Sequence, residues 1–340
     1  MSSNKTSQNT LPEAKEKQKR KIFLRLVVSI IAFILLIKYG NVDLKAAFNH
    51  LLTVNPLFYT IAYFFYLVTL FSTGFRFYIA SSALGFHKNY LQCVQLNFVG
   101  TLFNNFLPTT FGGDALRGYY LRRGTHHSIT KAVACLVCER YAGMVVLFWL
   151  ATIAFLLQDI GFISKEAWSV RRAFVWFSYL GTFASFFIVP FLPNINRKLF
   201  GKSNLIHKKF IEPVIVYWND MGLVIKIFFL SVILQISVLL CHIFIGLSLN
   251  IDIPLSYYLV FYPLVTIAGF LIPSLNGLGI REGAYIYFLS LVGINGDAGL
   301  AFGLGWLVIL FITSILGGFV YMFGDFRRNI PLEELSKFQT

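Results

Sequence analysis

Apolar residues in this chain fall into long blocks separated by short polar or basic stretches. A helix needs about 20 apolar residues to cross roughly 30 Å of hydrocarbon, so each block can be tested as a span. The first, Ile22–Ile37, follows a polar segment that ends in Lys15, Lys17, Lys19, Arg20 and Lys21. It runs on into Lys38-Tyr39-Gly40 without a small-residue cleavage site. That pattern predicts an uncleaved span rather than a signal peptide, with Arg25 snorkelling toward the basic tail. Next, Val42–Leu52 sets Leu44, Ala47, Phe48, Leu51 and Leu52 on one face, which predicts a short interfacial helix. Further full spans are predicted over Pro56–Ala80, Tyr141–Leu157, Ala173–Leu192, Leu223–Leu249 and Leu300–Met322.

Two other apolar stretches are interrupted. Tyr90–Leu107 breaks at Pro108-Thr109-Thr110-Phe111-Gly112-Gly113-Asp114, and Ser256–Ile272 breaks at Pro273-Ser274-Leu275-Asn276-Gly277-Leu278-Gly279. The placement of cations decides how these two cross. With a cytoplasmic N-terminus, a full crossing by Tyr90–Leu107 would put Arg117, Arg122, Arg123 and Lys131 outside, against the positive-inside bias. If the segment enters and turns back, that cluster stays inside. The loop of Arg197, Lys198, Lys202, Lys208 and Lys209 then falls inside too, as does Arg327-Arg328. The loop carrying Lys165, Arg171 and Arg172 fits poorly. Re-entry is the better account.

Composition removes the soluble alternative. Hydrophobic residues are 57% of the chain and charged residues 13%, with a mean hydropathy of +0.69. A soluble domain carries roughly 25% charged residues, because its surface must be wetted. Twenty-nine Lys+Arg against 15 Asp+Glu give a net charge of +14. Nucleic acid is not the implied partner, since the cations sit in short clusters between apolar runs rather than on a recognisable module. They suit orientation and anionic lipid head groups. Cys93, Cys135, Cys138 and Cys241 form no disulfide framework. The C-x-x-C of Cys135 and Cys138 lacks the second ligand pair of a zinc site and the βαβ setting of a redox pair, so it reads as helix packing.

The two breaks resemble each other. After Pro108, glycine follows at the fourth position (Gly112) and arginine at the ninth (Arg117); after Pro273, Gly277 follows at the fourth and Arg281 at the eighth. Three crossings between them would make the two hairpins enter from opposite faces. Broken apolar segments at matching positions of two halves point to a midplane substrate site, because freed N–H and C=O groups must line a cavity or be buried in protein. A pair of ordinary kinks is the plainer reading. Ionisable residues cluster at the same places: Asp114 with Arg117, Glu139 with Arg140 at the head of a span, and Arg281 with Glu282. Such charges either face a cavity and pair, or anchor helix ends at the interface. Arginine suits a phosphate, whose oxygens it grips with two bonds, and Asn104, Asn105 and Thr109 could add neutral donors or cap the broken helix.

Enzyme signatures are thin. The tandem His126-His127 is not the i, i+4 pair of a zinc helix, and Gly-x-Ser-x-Gly does not occur. Gly277-x-Gly279-x-x-x-Gly283 lacks the spacing and the preceding strand of a nucleotide loop. No cofactor, metal site or catalytic residue is predicted.

Asn104 through Arg117 resembles the N-x-x-L-P-x-x-x-G-G-D-x-x-R signature of the lysylphosphatidylglycerol synthase transmembrane-region family, also described as flippase-like. Glu139-Arg140 is similar to that family's E-R, and Pro273 through Glu282 to its P-x-x-x-G-x-G-x-R-E; Asn276 stands where many members carry glycine. The resemblance implies a helical bundle with re-entrant segments that moves lipids between leaflets. In bifunctional relatives it flips an aminoacylated lipid made by a C-terminal synthetase domain. With Thr340 about eighteen residues past the last span, lysyl-lipid synthesis is not expected to transfer.

The expectation is therefore an all-α polytopic membrane bundle with about six full spans and two re-entrant helical hairpins in an inverted repeat. It comprises a basic cytoplasmic tail over 1–21, a membrane domain over 22–324 and a second cytoplasmic tail over 325–340. The expected location is the plasma or bacterial inner membrane, and the expected partners are anionic or phosphate-bearing lipids, with a second copy or a lipid-synthesising enzyme as possible company. Asn104, Asn105, Asp114, Arg117, Glu139, Arg140, Arg281 and Glu282 are the expected head-group site; Pro108, Gly112, Gly113, Pro273, Gly277 and Gly279 are the expected breaks. A lipid-modifying transferase or hydrolase, and a lipid-binding subunit that transports nothing, remain the rival readings.

Overall fold

The computed structural model describes residues 42–106, 112–157, 219–271 and 277–324, together with Arg172, Trp176, Tyr179, Leu180, Phe183, Val216, Tyr217 and Phe326. The first predicted span, most of Ala173–Leu192, the basic loop over 197–209, the two terminal segments, and the tips carrying Pro108 and Pro273 lie outside the described residues. Among the described residues every regular element is a helix. In chain order they are α1 (Leu44–Leu52), α2 (Pro56–Ala83), α3 (Tyr90–Phe106), α4 (Gly112–Arg122), α5 (Ile129–Leu157), α6 (Met221–Ser248), α7 (Leu255–Leu271), α8 (Ile280–Ser290) and α9 (Gly296–Phe323). Four of these, α2, α5, α6 and α9, are long and apolar enough to cross a membrane.

The element lengths repeat. From α2 to α5 they are 28, 17, 11 and 29 residues, and from α6 to α9 they are 28, 17, 11 and 28. At 1.5 Å per residue the long helices reach about 42 Å, while the 11-residue ones reach only about 17 Å and cannot cross a bilayer. Helix ends repeat as well. Phe86 N donates to Ser81 O past a left-handed Gly85 (φ 85°), and Ile251 N donates to Gly246 O past a left-handed Asn250 (φ 54°). Both are Schellman-type closures, which satisfy carbonyls the helix end would otherwise strand. Asn55 and Asp220 cap the starts, their carboxamide and carboxylate oxygens accepting from Leu57 N and Leu223 N.

Packing follows the same repeat. Helices α2 and α6 run antiparallel: Asn55 N at the start of α2 donates to Ser248 O at the end of α6, and Arg76 near the end of α2 reaches Ser231 on the first half of α6. Helix α3 packs on α9 and α7 on α5, while α3–α4 and α7–α8 each fold back on themselves. In the first hairpin Gly113 N bonds the Asn104 side chain; in the second Tyr257 Oη donates to Phe288 O across the open end. Tyr90 at the start of α3 lies beside Phe75 near the C-terminal end of α2, and Tyr258 at the start of α7 touches Gly246 near the C-terminal end of α6. Because α2 and α6 are antiparallel, α3 and α7 begin toward opposite ends of this helix pair. One apolar cluster around Phe77, Leu96, Leu116 and Leu121 serves the first hairpin, and a larger one around Ile245, Phe261, Tyr285 and Phe302 serves the second.

Two local differences stand out against the pattern. Helix α5 begins at Ile129, twelve residues before the predicted span, so Glu139 and Arg140 sit inside a 29-residue helix rather than at its head. Its first turns carry Ala132 and Cys135 into the apolar cluster, which compensates for the polar residues beside them. In α1, Ala47 packs at Ile286 and Leu300 while Leu44, Phe48 and Leu52 remain exposed, a one-sided apolar stripe.

Candidate functional site

The two arms of the first hairpin are drawn together by their smallest residues. Gly113 N donates to Asn104 Oδ1 at 2.8 Å, and a Cβ on Gly113 would collide with the Gly100 carbonyl oxygen of the facing arm. One turn further, Arg117 lays its methylenes along Gly100 and its guanidinium 4.3 Å over the Phe77 ring. The helix start therefore presents Asp114 and Arg117 from one face, 3.2 Å apart, as the i, i+3 spacing predicts.

Those two residues belong to a buried chain of alternating charges. Arg140 holds Asp114 through Nη2 at 2.7 Å and Nε at 2.9 Å. Arg117 holds Glu139 at 2.7 Å, and Arg76 Nε stands 3.5 Å from the other Glu139 oxygen while its Nη1 donates to Ser231 Oγ at 2.8 Å. Three arginines face two carboxylates, so the cluster carries one net positive charge. Arg76, Asp114, Arg117 and Glu139 are all buried, and isolated charges there would cost several kcal/mol each. Alternation lowers that cost because every carboxylate touches two guanidiniums. Sequence reasoning missed Arg76. Its sequence signal was ambiguous: an arginine twenty residues, about 30 Å, into an apolar helix can equally anchor the far interface, and only its burial beside Glu139 shows that it is paired.

The second hairpin repeats the scaffold but not the neutralisation. Gly277 (φ 82°) and Gly279 (φ 81°) adopt left-handed conformations that lead into α8, a geometry costly for residues with a Cβ. Arg281, the counterpart of Arg117, lies along Gly269 and Gly277 of its own hairpin. Glu282 turns away to its own helix start, accepting from Gly279 N at 2.6 Å. Among the described residues no carboxylate pairs with Arg281.

Between the halves lies a cavity in two lobes, of about 270 and 300 Å³. The first lobe meets Arg76, Asp114, Arg117 and Glu139; the second meets Arg281, His242, Tyr285 and Trp306. Tyr66, Asn104, Arg140, Leu234, Gln235 and Thr266 border both, so the lobes adjoin. Arg140, with a side chain 45% exposed, is the most open member of the charge cluster and faces the shared region. His242 is fixed in the wall: its Nδ1 contacts Val238 O and its Nε2 the Tyr285 hydroxyl, at 2.8 and 2.7 Å.

The expected residues thus divide. Asn104, Asp114, Arg117, Glu139, Arg140 and Arg281 border the cavity. Asn105 instead faces α9, donating to Ser314 Oγ at 2.6 Å and Leu310 O at 3.3 Å. Glu282 serves as a helix cap. Gly112, Gly113, Gly277 and Gly279 stand at the hairpin turns, and Pro108 and Pro273 lie outside the described residues.

Comparison with known proteins agrees with this architecture. The model of a family described as "Lysylphosphatidylglycerol synthase TM region" matches residues 22–318. A protein of Methanocaldococcus jannaschii described as a UPF0104 membrane protein is 28% identical over 238 residues, covering 68% of this chain and 96% of its own length.

Proposed function

This chain belongs to the lysylphosphatidylglycerol synthase TM region family, and on that premise we propose that it translocates a phosphate-bearing lipid head group across the bilayer. It is an integral membrane protein of a lipid-related family; the proposal concerns what it does there. The head group enters the two-lobed cavity between hairpins α3–α4 and α7–α8, which act as re-entrant segments from opposite leaflets within a six-span bundle. Arg281 takes the phosphate from one half and Arg140 from the other. Asp114 and Glu139 hold the remaining arginines, and Asp114 can release Arg140 as the ligand arrives. The hairpin turns at Gly112-Gly113 and Gly277–Gly279 supply the backbone breaks. Cytoplasmic termini in a plasma or bacterial inner membrane complete the reading.

One observation carries it. Arg281 is a half-buried cation without a carboxylate partner among the described residues, and it faces the same cavity as the half-open Arg140. A cation in such a place is paid for by an anion that comes and goes. Fatty-acyl chains can stay in lipid while only the polar head crosses the protein, so the cavity need not hold a whole lipid.

The test is purified protein in liposomes with a fluorescent phospholipid, quenched from outside. Leaflet exchange of chemically unchanged lipid, lost in Arg281→Gln while the protein still folds, is the expected result. A new lipid product without exchange would favour the transferase or hydrolase reading, and tight binding without exchange would favour a lipid-binding subunit.

A further inference from the structure

His242 is a buried titratable group on the cavity wall that head-group binding by the arginines leaves unused. It lies in α6, 1% exposed, and borders the second lobe. Both ring nitrogens have partners. Nδ1 stands 2.8 Å from Val238 O, and a carbonyl only accepts, so this nitrogen carries a hydrogen. In the neutral ring Nε2 is then a bare acceptor, and the Tyr285 hydroxyl 2.7 Å away donates to it. The Tyr285 oxygen keeps only lone pairs to offer, and Tyr285 borders the same lobe. Protonation of Nε2 reverses the bond: the ring donates, and the hydroxyl hydrogen is freed to donate elsewhere. Resting on the translocation reading, we infer that anion binding in the second lobe is coupled to uptake of one proton at His242. The Tyr285 hydroxyl is the group that changes from acceptor to donor.

The step balances with water as the proton source. A proton adds to a Tyr285 lone pair while the hydroxyl's own hydrogen passes to Nε2, so Tyr285 ends neutral and His242 ends as an imidazolium. The surroundings suit both forms. Ring centroids of Trp306, Tyr262 and Phe302 stand 4.5, 4.8 and 5.9 Å from that of His242; aromatic faces at such distances pack a neutral ring and attract a cation. Trp306 Nε1–H, buried and without a partner among the described residues, borders the lobe as a second neutral donor for an anion. The charged groups on the lining among the described residues are Arg281 from α8 and Arg140 from α5. The titratable ones are Tyr66 from α2, Tyr262 from α7 and Tyr285 from α8, with Cys241 adjoining His242 on α6. Glu282, three residues before Tyr285, accepts from Gly279 N. Of these side-chain types, histidine is the one that ordinarily changes charge between about pH 5 and 8. An anion held by the arginines attracts the imidazolium and accepts from Tyr285. Proton and anion therefore each favour the other's binding, as linkage requires.

A phosphodiester lipid tests this cleanly, because its own charge stays constant across the range in which histidine titrates. Binding of an acyl-labelled fluorescent phosphatidylglycerol to the full chain in detergent is followed from about pH 5.5 to about pH 8.5. Proton uptake is read alongside it with a pH indicator in weak buffer. The parent's affinity should fall as pH rises, by up to about ten-fold per pH unit at the steepest point, with close to one proton taken up per probe bound. His242→Gln keeps a polar group near the Nε2 position but cannot titrate, so its affinity should be flat with pH and its uptake lost. Tyr285→Phe keeps the ring and removes the hydroxyl, so the low-pH affinity should drop toward the high-pH value; this variant serves if the first does not fold. A parent affinity that stays within two-fold over the whole range would overturn the inference. So would a slope and an uptake that survive unchanged in either variant, since the proton would then belong to another group. Liposome exchange over the same pH range separates the two claims. Proton-linked binding without exchange refutes translocation and leaves the coupling standing, whereas exchange that ignores pH in parent and variants alike refutes the coupling and leaves translocation standing.

Discussion

Removing one charge from the alternating cluster gives the sharpest quantitative prediction. In Glu139→Gln the side chain keeps its size and one acceptor oxygen but loses the negative charge that faces Arg117 at 2.7 Å and Arg76 at 3.5 Å. The cluster then holds three arginines and one carboxylate, so its net charge rises from one to two in a buried setting. Breaking a buried ion pair by deleting one partner costs about 3–5 kcal/mol, because the other charge is left uncompensated. At roughly 2 °C per kcal/mol for a long chain, the melting temperature should fall by about 6–10 °C. The five tryptophans allow this to be followed by intrinsic fluorescence during a thermal ramp of the purified protein. A second variant makes the charge argument specific. Adding Arg76→Met to Glu139→Gln leaves two arginines and one carboxylate, restoring the native net charge of one, with an apolar side chain of similar length at position 76. The double variant should recover more than half of the lost stability. If Glu139→Gln melts within about 1 °C of the parent, or if Arg76→Met only adds its own loss, the cluster is not the compensated network described here.

Three further outcomes test other parts of the structure. Gly113→Ala forces a Cβ against the Gly100 carbonyl and to 2.7 Å from Asn104 Cγ, so overpacking should cost about 1–3 kcal/mol and lower the monodisperse yield in size-exclusion chromatography. Asn105→Ala removes donors to Ser314 and Leu310 and should cost about 1–2 kcal/mol in a thermal melt, with lipid exchange per folded molecule changed less than two-fold; Asn104→Ala, at the cavity edge, should reduce exchange far more. In a cysteine-free background, His87→Cys before the first hairpin and Asp252→Cys before the second should be labelled by an impermeant maleimide from opposite membrane faces, and labelling from one face would contradict the inverted arrangement.

Much of this protein is local and therefore legible in its residues. The apolar blocks mark helices because hydrocarbon leaves the backbone no other way to satisfy its polar groups. Proline and glycine at matching offsets mark both hairpins, since each residue's φ preference acts within a turn. The spacing of Asp114 and Arg117 implies their contact, for i and i+3 share a helix face. Asn104 and Asn105, neighbours in sequence, could not be told apart: adjacent helical residues diverge by about 100°, and only the position of α9 decides which one meets the cavity.

Pairing across the chain needed the tertiary structure. Arg76 and Glu139 are 63 positions apart and come together only because α2 and α5 converge beside the first hairpin. The same packing gives Arg117 a carboxylate and, among the described residues, gives its counterpart Arg281 none, although both follow similar breaks in sequence. Hydrophobic periodicity records which face of a helix is buried, and it records nothing about which neighbour buries it. Membership in lipid, the helices and their breaks were thus set by the sequence alone. The arginine paired with carboxylates, the one that has none among the described residues, and the cavity between them exist only where distant helices, α2 and α6 among them, come together.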